Sequence, residues 1–250
     1  MNAVRIEKVT YSYQKENGEN VLKDFCLTVE KGEFLCVIGH SGCGKSTLLH
    51  LLAGLEKPQM GTIRLDDCPV TGPGVDRAIV FQHYSLFPWM NVRANIMFAA
   101  KQAKHFTKKE ISKRTDLFLE KTGMKIHEKK YPYQLSGGMR QRTAIARALA
   151  MDAEILLLDE PFSALDTHSR SELQLLIREL WAEDGKRKTV IFVTHDLEEA
   201  MMLASRIIFI SGGKIAEDIQ VSEQINQCCV EIQGQEACQQ MKTRLKRLFL

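Results

Sequence analysis

The chain has 250 residues, of which 44% are hydrophobic and 26% charged, with a formal net charge of +3. These are the proportions of a soluble globular protein, with room for one large domain or two small lobes sharing a site, and the small charge neither argues for a nucleic-acid partner nor excludes one. No run of eighteen or so apolar residues is present, which excludes a membrane-spanning helix, and the opening MNAVRIEKVTYSY lacks the apolar core of a secretory signal, so a cytosolic chain is expected.

Residues Val4 to Tyr13 and Val21 to Val29 alternate as strands do, and Lys31-Gly32-Glu33 turns the chain. Phe34 to Ile38, FLCVI, is the right length and content for a buried strand. Directly after it come Gly39, His40, Ser41, Gly42, Cys43, Gly44, Lys45, Ser46 and Thr47, and then a leucine-rich helix stopped by Gly54. Strand, glycine-rich loop and helix in that order form a phosphate-binding P-loop. Its backbone N–H groups converge on phosphate oxygens, and the helix N-terminus adds favourable electrostatics. Lys45 is expected to reach the β- and γ-phosphates, and the Ser46 hydroxyl to ligand Mg²⁺. His40 is expected to contact phosphate through its backbone alone. Gly61 to Leu65 reads as a further strand, giving an antiparallel sheet beside the nucleotide site.

From about Leu86 to Ala150 the character changes. Asn91 to Lys104 and Lys108 to Lys121 have helical spacing with charged outer faces, and a third helix should run from Ser136 to Met151. Ser136 can cap that helix, and Gly137 and Gly138 allow close backbone approach to an anion, so this is a second helix start suited to phosphate. Two such starts some ninety residues apart make sense if the second faces a nucleotide held by another copy of the chain. Apolar segments follow at Ile155 to Leu158, Thr189 to Val193 and Ile207 to Ile210, separated by helical stretches at Ser169 to Trp181 and Leu197 to Leu203. Strands alternating with helices argue for a mostly parallel sheet. Asp159 and Glu160 stand at the end of the first of these strands, where α/β folds hold ligands. Asp159 suits Mg²⁺ and Glu160 suits the attacking water, although Asp-Glu-Pro is also ordinary helix-start chemistry. Ser211-Gly212-Gly213 turns the chain into Lys214 to Val221.

The seven cysteines include no C-x-x-C pair, so reduced thiols rather than a zinc site are expected. Cys43, inside the loop at a helix start, is expected to have a lowered pKa and to block nucleotide when alkylated. In the tail, Met241, Leu245, Leu248 and Phe249 share one helical face and the basic residues lie on others. Such a helix packs on its own domain or touches a membrane.

Leu135-Ser136-Gly137-Gly138-Met139-Arg140-Gln141-Arg142 resembles the signature motif of the nucleotide-binding subunits of ATP-binding cassette (ABC) transporters, and the resemblance runs to about Val221. It implies an α/β P-loop NTPase core with a mostly parallel sheet, a flanking antiparallel β-subdomain and an inserted helical subdomain. Residues 1–250 would form one nucleotide-binding domain: a core at about 1–85 and 152–221, the helical subdomain at 86–151 and a short tail at 222–250. It implies ATP and Mg²⁺ as cofactors, and a head-to-tail dimer in which each ATP lies between the P-loop of one copy and the LSGG of the other. By the same resemblance Tyr13 stacks on adenine, with Tyr11 as the alternative. Gln82 senses Mg²⁺ and the γ-phosphate, Asp159 and Glu160 are the Walker-B pair, Ser163-Ala164-Leu165-Asp166 is the D-loop and His195 is the switch histidine. Catalysis would then rest on Glu160, His195, Lys45 and Gln82.

His83 to Trp89, with its Pro88-Trp89 pair, and Met139 in the signature look like the branch that imports nitrate, sulfonates and taurine. Ser211-Gly212-Gly213-Lys214 departs from the Arg-Pro-Gly often found there in that branch. Trp89 reads either as a core aromatic or as an anchor for the membrane subunit's coupling helix. The function expected is that of an ATPase energising an importer, peripheral on the cytoplasmic face of the cell membrane, with permease subunits and, indirectly, a substrate-binding protein as partners, and no nucleic acid. The alternatives are a soluble ABC-type ATPase acting on ribosomes or DNA, and the ATPase of an exporter.

Overall fold

The structure is a computed structural model that describes residues 2–13, 19–103, 105–163, 165–182, 188–226 and 236–249. The chain begins with β1 (Asn2–Tyr11), β2 (Leu22–Glu30), β3 (Phe34–Gly39), α1 (Lys45–Ala53), β4 (Met60–Leu65), β5 (Cys68–Pro69) and β6 (Arg77–Val80). It continues with α2 (Val92–Ala100), α3 (Lys108–Lys121), α4 (Gly137–Ala150), β7 (Ile155–Asp159), α5 (Thr167–Ala182) and β8 (Thr189–Val193). It closes with α6 (Leu197–Leu203), β9 (Arg206–Ser211), β10 (Lys214–Gln220) and α7 (Glu236–Arg247). Two compact units result, one from Met1–Gly74 with Gly185–Leu250 and one from Val75–Asp184.

The first unit holds an antiparallel sheet in the order β2-β1-β4-β5, together with the strands β10-β9-β3-β8. β3 lies parallel to both β8 and β9, and β10 returns antiparallel on β9. All six residues of β3 and all five of β8 are buried, which is why these segments are continuous apolar runs rather than alternating ones. The four leucines of α1, Leu48, Leu49, Leu51 and Leu52, are also fully buried, and the helix packs against β3 and β8. Burial of this kind stabilises by roughly 1.5–3 kcal/mol per large apolar side chain. It makes the end of β3 a rigid base for the loop that follows.

In the second unit β6 lies parallel to β7, in register from Arg77 against Ile155 to Val80 against Leu158. The helices α2, α3 and α4 pack on one another, and α4 also packs against β6. Asn91 caps α2 by accepting from the Ala94 N–H at 2.8 Å, and Thr107 with Glu110 forms a capping box on α3. Arg93 of α2 bridges to Asp116 of α3 at 2.8 Å and to Glu128 at 2.8 Å, and Lys125 joins on Asp116.

The architecture is the α/β one that the sequence predicts, with its antiparallel sheet and helical insertion. Two strands were not predicted. β5 has only two residues, and β6 begins with Arg77, which is buried and paired with Asp76 at 3.1 Å, so its apolar run is too short to signal a strand. Cys228 and Cys229 lie outside the described residues, as does Ala164 of the D-loop. The tail helix packs on its own unit: Leu245 of α7 is fully buried and α7 contacts α6.

Candidate functional site: a phosphate loop and the segments that serve it

The loop from Gly39 to Thr47 leaves β3 through a backbone that only glycine tolerates. A Cβ on Gly39 would lie 2.5 Å from the Ile210 carbonyl oxygen of β9 and 2.7 Å from the Cys43 sulfur. Gly44, with φ of 109°, turns the chain into α1, and a Cβ there would meet Leu22 at 2.9 Å. Gly42 also has positive φ, and Ser41 and Ser46 are exposed. Lys45 is buried, and its ammonium folds back to donate to the carbonyls of Gly39 at 2.8 Å and His40 at 2.9 Å. The loop therefore fixes a cation at its own centre, at the first turn of a helix whose N-terminal end favours negative charge.

Tyr13 lies at this loop. Its hydroxyl is 2.9 Å from the Thr47 hydroxyl, its ring meets Tyr11 edge-on, and the residue is 58% exposed. Tyr11 is buried, and that burial, with a hydrogen bond to Glu56, pushes its hydroxyl up to about 12. Of the two tyrosines, only Tyr13 presents a face to a ligand. In the same unit β8 is followed by Thr194, whose hydroxyl donates to the buried Glu199 at 2.6 Å and accepts the Asp196 N–H at 3.0 Å. Asp196 in turn caps α6. His195 sits between these two fixed residues with its side chain exposed.

In the second unit Asp159 is the buried last residue of β7, and Glu160 follows with left-handed backbone, φ 44°. That conformation is uncommon for a residue with a Cβ, and such strain gathers at functional sites. Gln82, exposed just past β6, donates to the Glu160 carboxylate at 3.4 Å. The parallel pairing of β6 and β7 brings these two ends together. Ser136 caps α4 by accepting from the Met139 N–H at 3.3 Å, so the helix begins on the backbone N–H groups of Gly137 and Gly138. A Cβ on Gly138 would stand 3.3 Å from Leu165. Asp166 accepts from the Ser169 N–H at 3.0 Å, which holds its carboxyl below the usual range.

The profile of the ABC transporter family matches residues 22–163. A nitrate import ATP-binding protein of Synechococcus elongatus is 48% identical over 196 residues, covering 78% of this chain and 71% of that protein. A taurine import ATP-binding protein of Escherichia coli O157:H7 is 45% identical over 208 residues, covering 82% and 80%. The chain belongs to the ABC transporter family. Among solved structures, a dimeric post-hydrolysis ATP-binding cassette bound to ADP and phosphate superposes with a TM-score of 0.79 at 31% identity, over 88% of this chain and 99% of that one. A dimeric bacterial ABC transporter cassette superposes equally well, with a TM-score of 0.79 at 31% identity. As an ABC ATPase the chain binds and hydrolyses ATP.

Within this ABC fold several supporting residues carry no motif. Gln59 clamps the backbone of Ser12, accepting its N–H at 2.7 Å and donating to its carbonyl at 2.8 Å, next to Tyr13. Arg147 of α4 donates to the carbonyls of Ser85 at 2.7 Å and Tyr84 at 3.3 Å, two residues with positive φ just past Gln82. Burial draws the Arg147 guanidinium down to about 10. The buried Asn95 accepts from the Phe87 N–H at 2.9 Å and donates to the Met90 carbonyl at 2.9 Å, pinning the turn that carries Trp89. Trp89 is 70% exposed, so it is not a core aromatic. The expectation for Cys43 is reversed. Burial pushes its thiol up, against the pull of the Lys45 ammonium.

Two of the residues expected at the metal carry oxygen donors of the hard kind that magnesium takes. Ser46 of the first unit offers a hydroxyl and Asp159 of the second a carboxylate. Mg²⁺ is commonly held by one or two protein oxygens plus phosphates and water.

Proposed function

We propose that this chain is the ATP-hydrolysing subunit of an importer of nitrate, sulfonates, taurine or similar small compounds, acting as a head-to-tail dimer beneath permease subunits. The observation that carries the proposal is the similarity, at 45–48% identity, to nitrate and taurine import ATP-binding proteins. On this reading the nucleotide triphosphate lies on the Gly39–Thr47 loop, with Tyr13 against adenine and the backbone of Gly39 to Gly44 around the phosphates. Lys45 neutralises the β- and γ-oxygens. Ser46, Asp159 and Gln82 hold Mg²⁺, which supplies charge neutralisation for phosphoryl transfer. Glu160 orients the attacking water, with Gln82 steadying its carboxylate. His195 contacts the γ-phosphate. Ser136, Gly137 and Gly138 of a second copy add N–H and hydroxyl donors that find a partner only when a γ-phosphate is present. Their differential affinity for ATP over ADP closes the dimer, and hydrolysis reopens it.

The exposed Trp89, on a turn locked by Asn95, is the anchor for the permease. To test the reading, a tagged Glu160→Gln chain is purified with ATP from solubilised native membranes and its partners identified by mass spectrometry. The expected result is a multi-span membrane protein, sharply reduced by Trp89→Ala, whose complex raises its ATP turnover when nitrate, a sulfonate or taurine is supplied with the cognate binding protein. Recovery of ribosomal or DNA-bound proteins, with no membrane protein, overturns it.

A further inference from the structure

The phosphate loop is braced from the far end of the chain. The His40 ring, inside the loop, meets the Phe249 ring edge-on at 5.3 Å and the Phe209 ring of β9 at 5.8 Å, while Phe209 and Phe249 meet each other at 5.2 Å. Three rings thus form a closed cluster, each pair within the range in which aromatic edges and faces attract. Phe249 is delivered to this cluster by a firmly held element. It follows α7 in a turn whose N–H groups bond back, Leu248 to the Leu245 carbonyl at 3.1 Å and Phe249 to that of Lys246 at 3.1 Å. Leu245 is fully buried, Lys242 pairs with Glu198 on α6, and Arg244 pairs with Glu217 on β10 at 2.9 Å.

His40 is where such a brace acts on function. Its carbonyl accepts the Lys45 ammonium at 2.9 Å and the Cys43 N–H at 3.3 Å, so its backbone orientation sets both the fold of the loop and the place of the lysine. The residue before it cannot move toward β9, because Gly39 already lies against Ile210. The His40 side chain is exposed, and the packed Phe249 ring is a further restraint on it. We propose that Phe249 is a positioning residue for the nucleotide: by packing on the His40 ring it holds the phosphate loop in the shape that receives ATP. The inference rests on the reading of Gly39–Thr47 as the phosphate site.

The test is a fluorescence titration of the purified full chain with N-methylanthraniloyl ATP in magnesium buffer. Phe249→Ala should weaken binding by about 2- to 12-fold, the range for loss of one aromatic pair, and Phe249→Tyr should restore it. In a His40→Ala background the same Phe249→Ala change should have no further effect. Should Phe249→Ala fail to fold, Phe249→Leu keeps the apolar volume without the ring and carries the same expectation. Wild-type affinity in the folded variant, or an equal loss with and without the His40 ring, overturns the proposal. Lys45→Ala serves as the separate control. If it binds nucleotide as the wild type does, the phosphate-site reading fails; if it loses binding while Phe249→Ala does not, only the positioning role fails.

Discussion

Glu160 combines a left-handed backbone with a carboxylate that Gln82 reaches at 3.4 Å. Replacing that carboxylate by the isosteric amide keeps the hydrogen-bonding shape and removes the charge and basicity that the proposed role needs. Glu160→Gln is therefore expected to bind ATP with near wild-type affinity while its turnover falls by about 10²–10⁴-fold, the usual contribution of a general base. Phosphate release and nucleotide titration on the same preparation check this, and wild-type turnover in the variant would remove Glu160 from the catalytic role. Glu160, Lys45, Ser136 and His195 are proposed from the sequence because each belongs to a short contiguous motif whose chemistry is local. Gln59 and Arg147 were not legible there, since their partners Ser12 and Ser85 lie 47 and 62 residues away. Nor was the raised thiol of Cys43 legible: a helix start and a nearby lysine can be read from spacing, whereas the burial that outweighs them is a property of the folded loop.

Elements follow the same division. The limits of α3, α6 and β8 agree with the periodicity of their sequences, because a capping box, an aspartate cap and a run of five buried residues each mark an end. What periodicity does not disclose is how the helices of the second unit are tied together. There Arg93, and then Lys125, hold the Asp116 carboxyl well below the usual carboxylate range. A group whose folded-state pKa is depressed stabilises the fold above its unfolded value, about 4, and the contribution is lost as pH falls toward the folded value. Asp116→Asn should accordingly melt at a lower temperature than the wild type at pH 7, and the gap should narrow steadily below about pH 4. Asp116 is partly exposed, so the gap should also shrink in high salt. Thermal melts across pH and ionic strength measure both effects, and a gap that is constant from pH 7 to acid would mean that the aspartate acts by packing rather than by charge.

At the scale of the whole molecule, the chain carries two glycine-flanked helix starts, one at Lys45 and one at Ser136, and solved relatives of this fold are dimers. If the second start serves a nucleotide held by another copy, each ATP site is composite, and defects in the two starts should complement when placed on different chains. Lys45→Ala removes the cation of the phosphate loop, and Ser136→Arg fills the cap with a bulky side chain; each chain alone should hydrolyse almost no ATP. In a mixed dimer one composite site carries both defects. The other pairs the intact loop of the Ser136→Arg chain with the intact helix start of the Lys45→Ala chain. Mixing the two inactive proteins should therefore restore a minority fraction of wild-type phosphate release, rising and then falling as the ratio is varied through equality. Were Ser136 to act on the nucleotide of its own chain, every chain in the mixture would hold a defective site, and no ratio would restore activity. The ratio profile thus separates a site shared between copies from a site complete within one, without labelling either protein or isolating the mixed dimer.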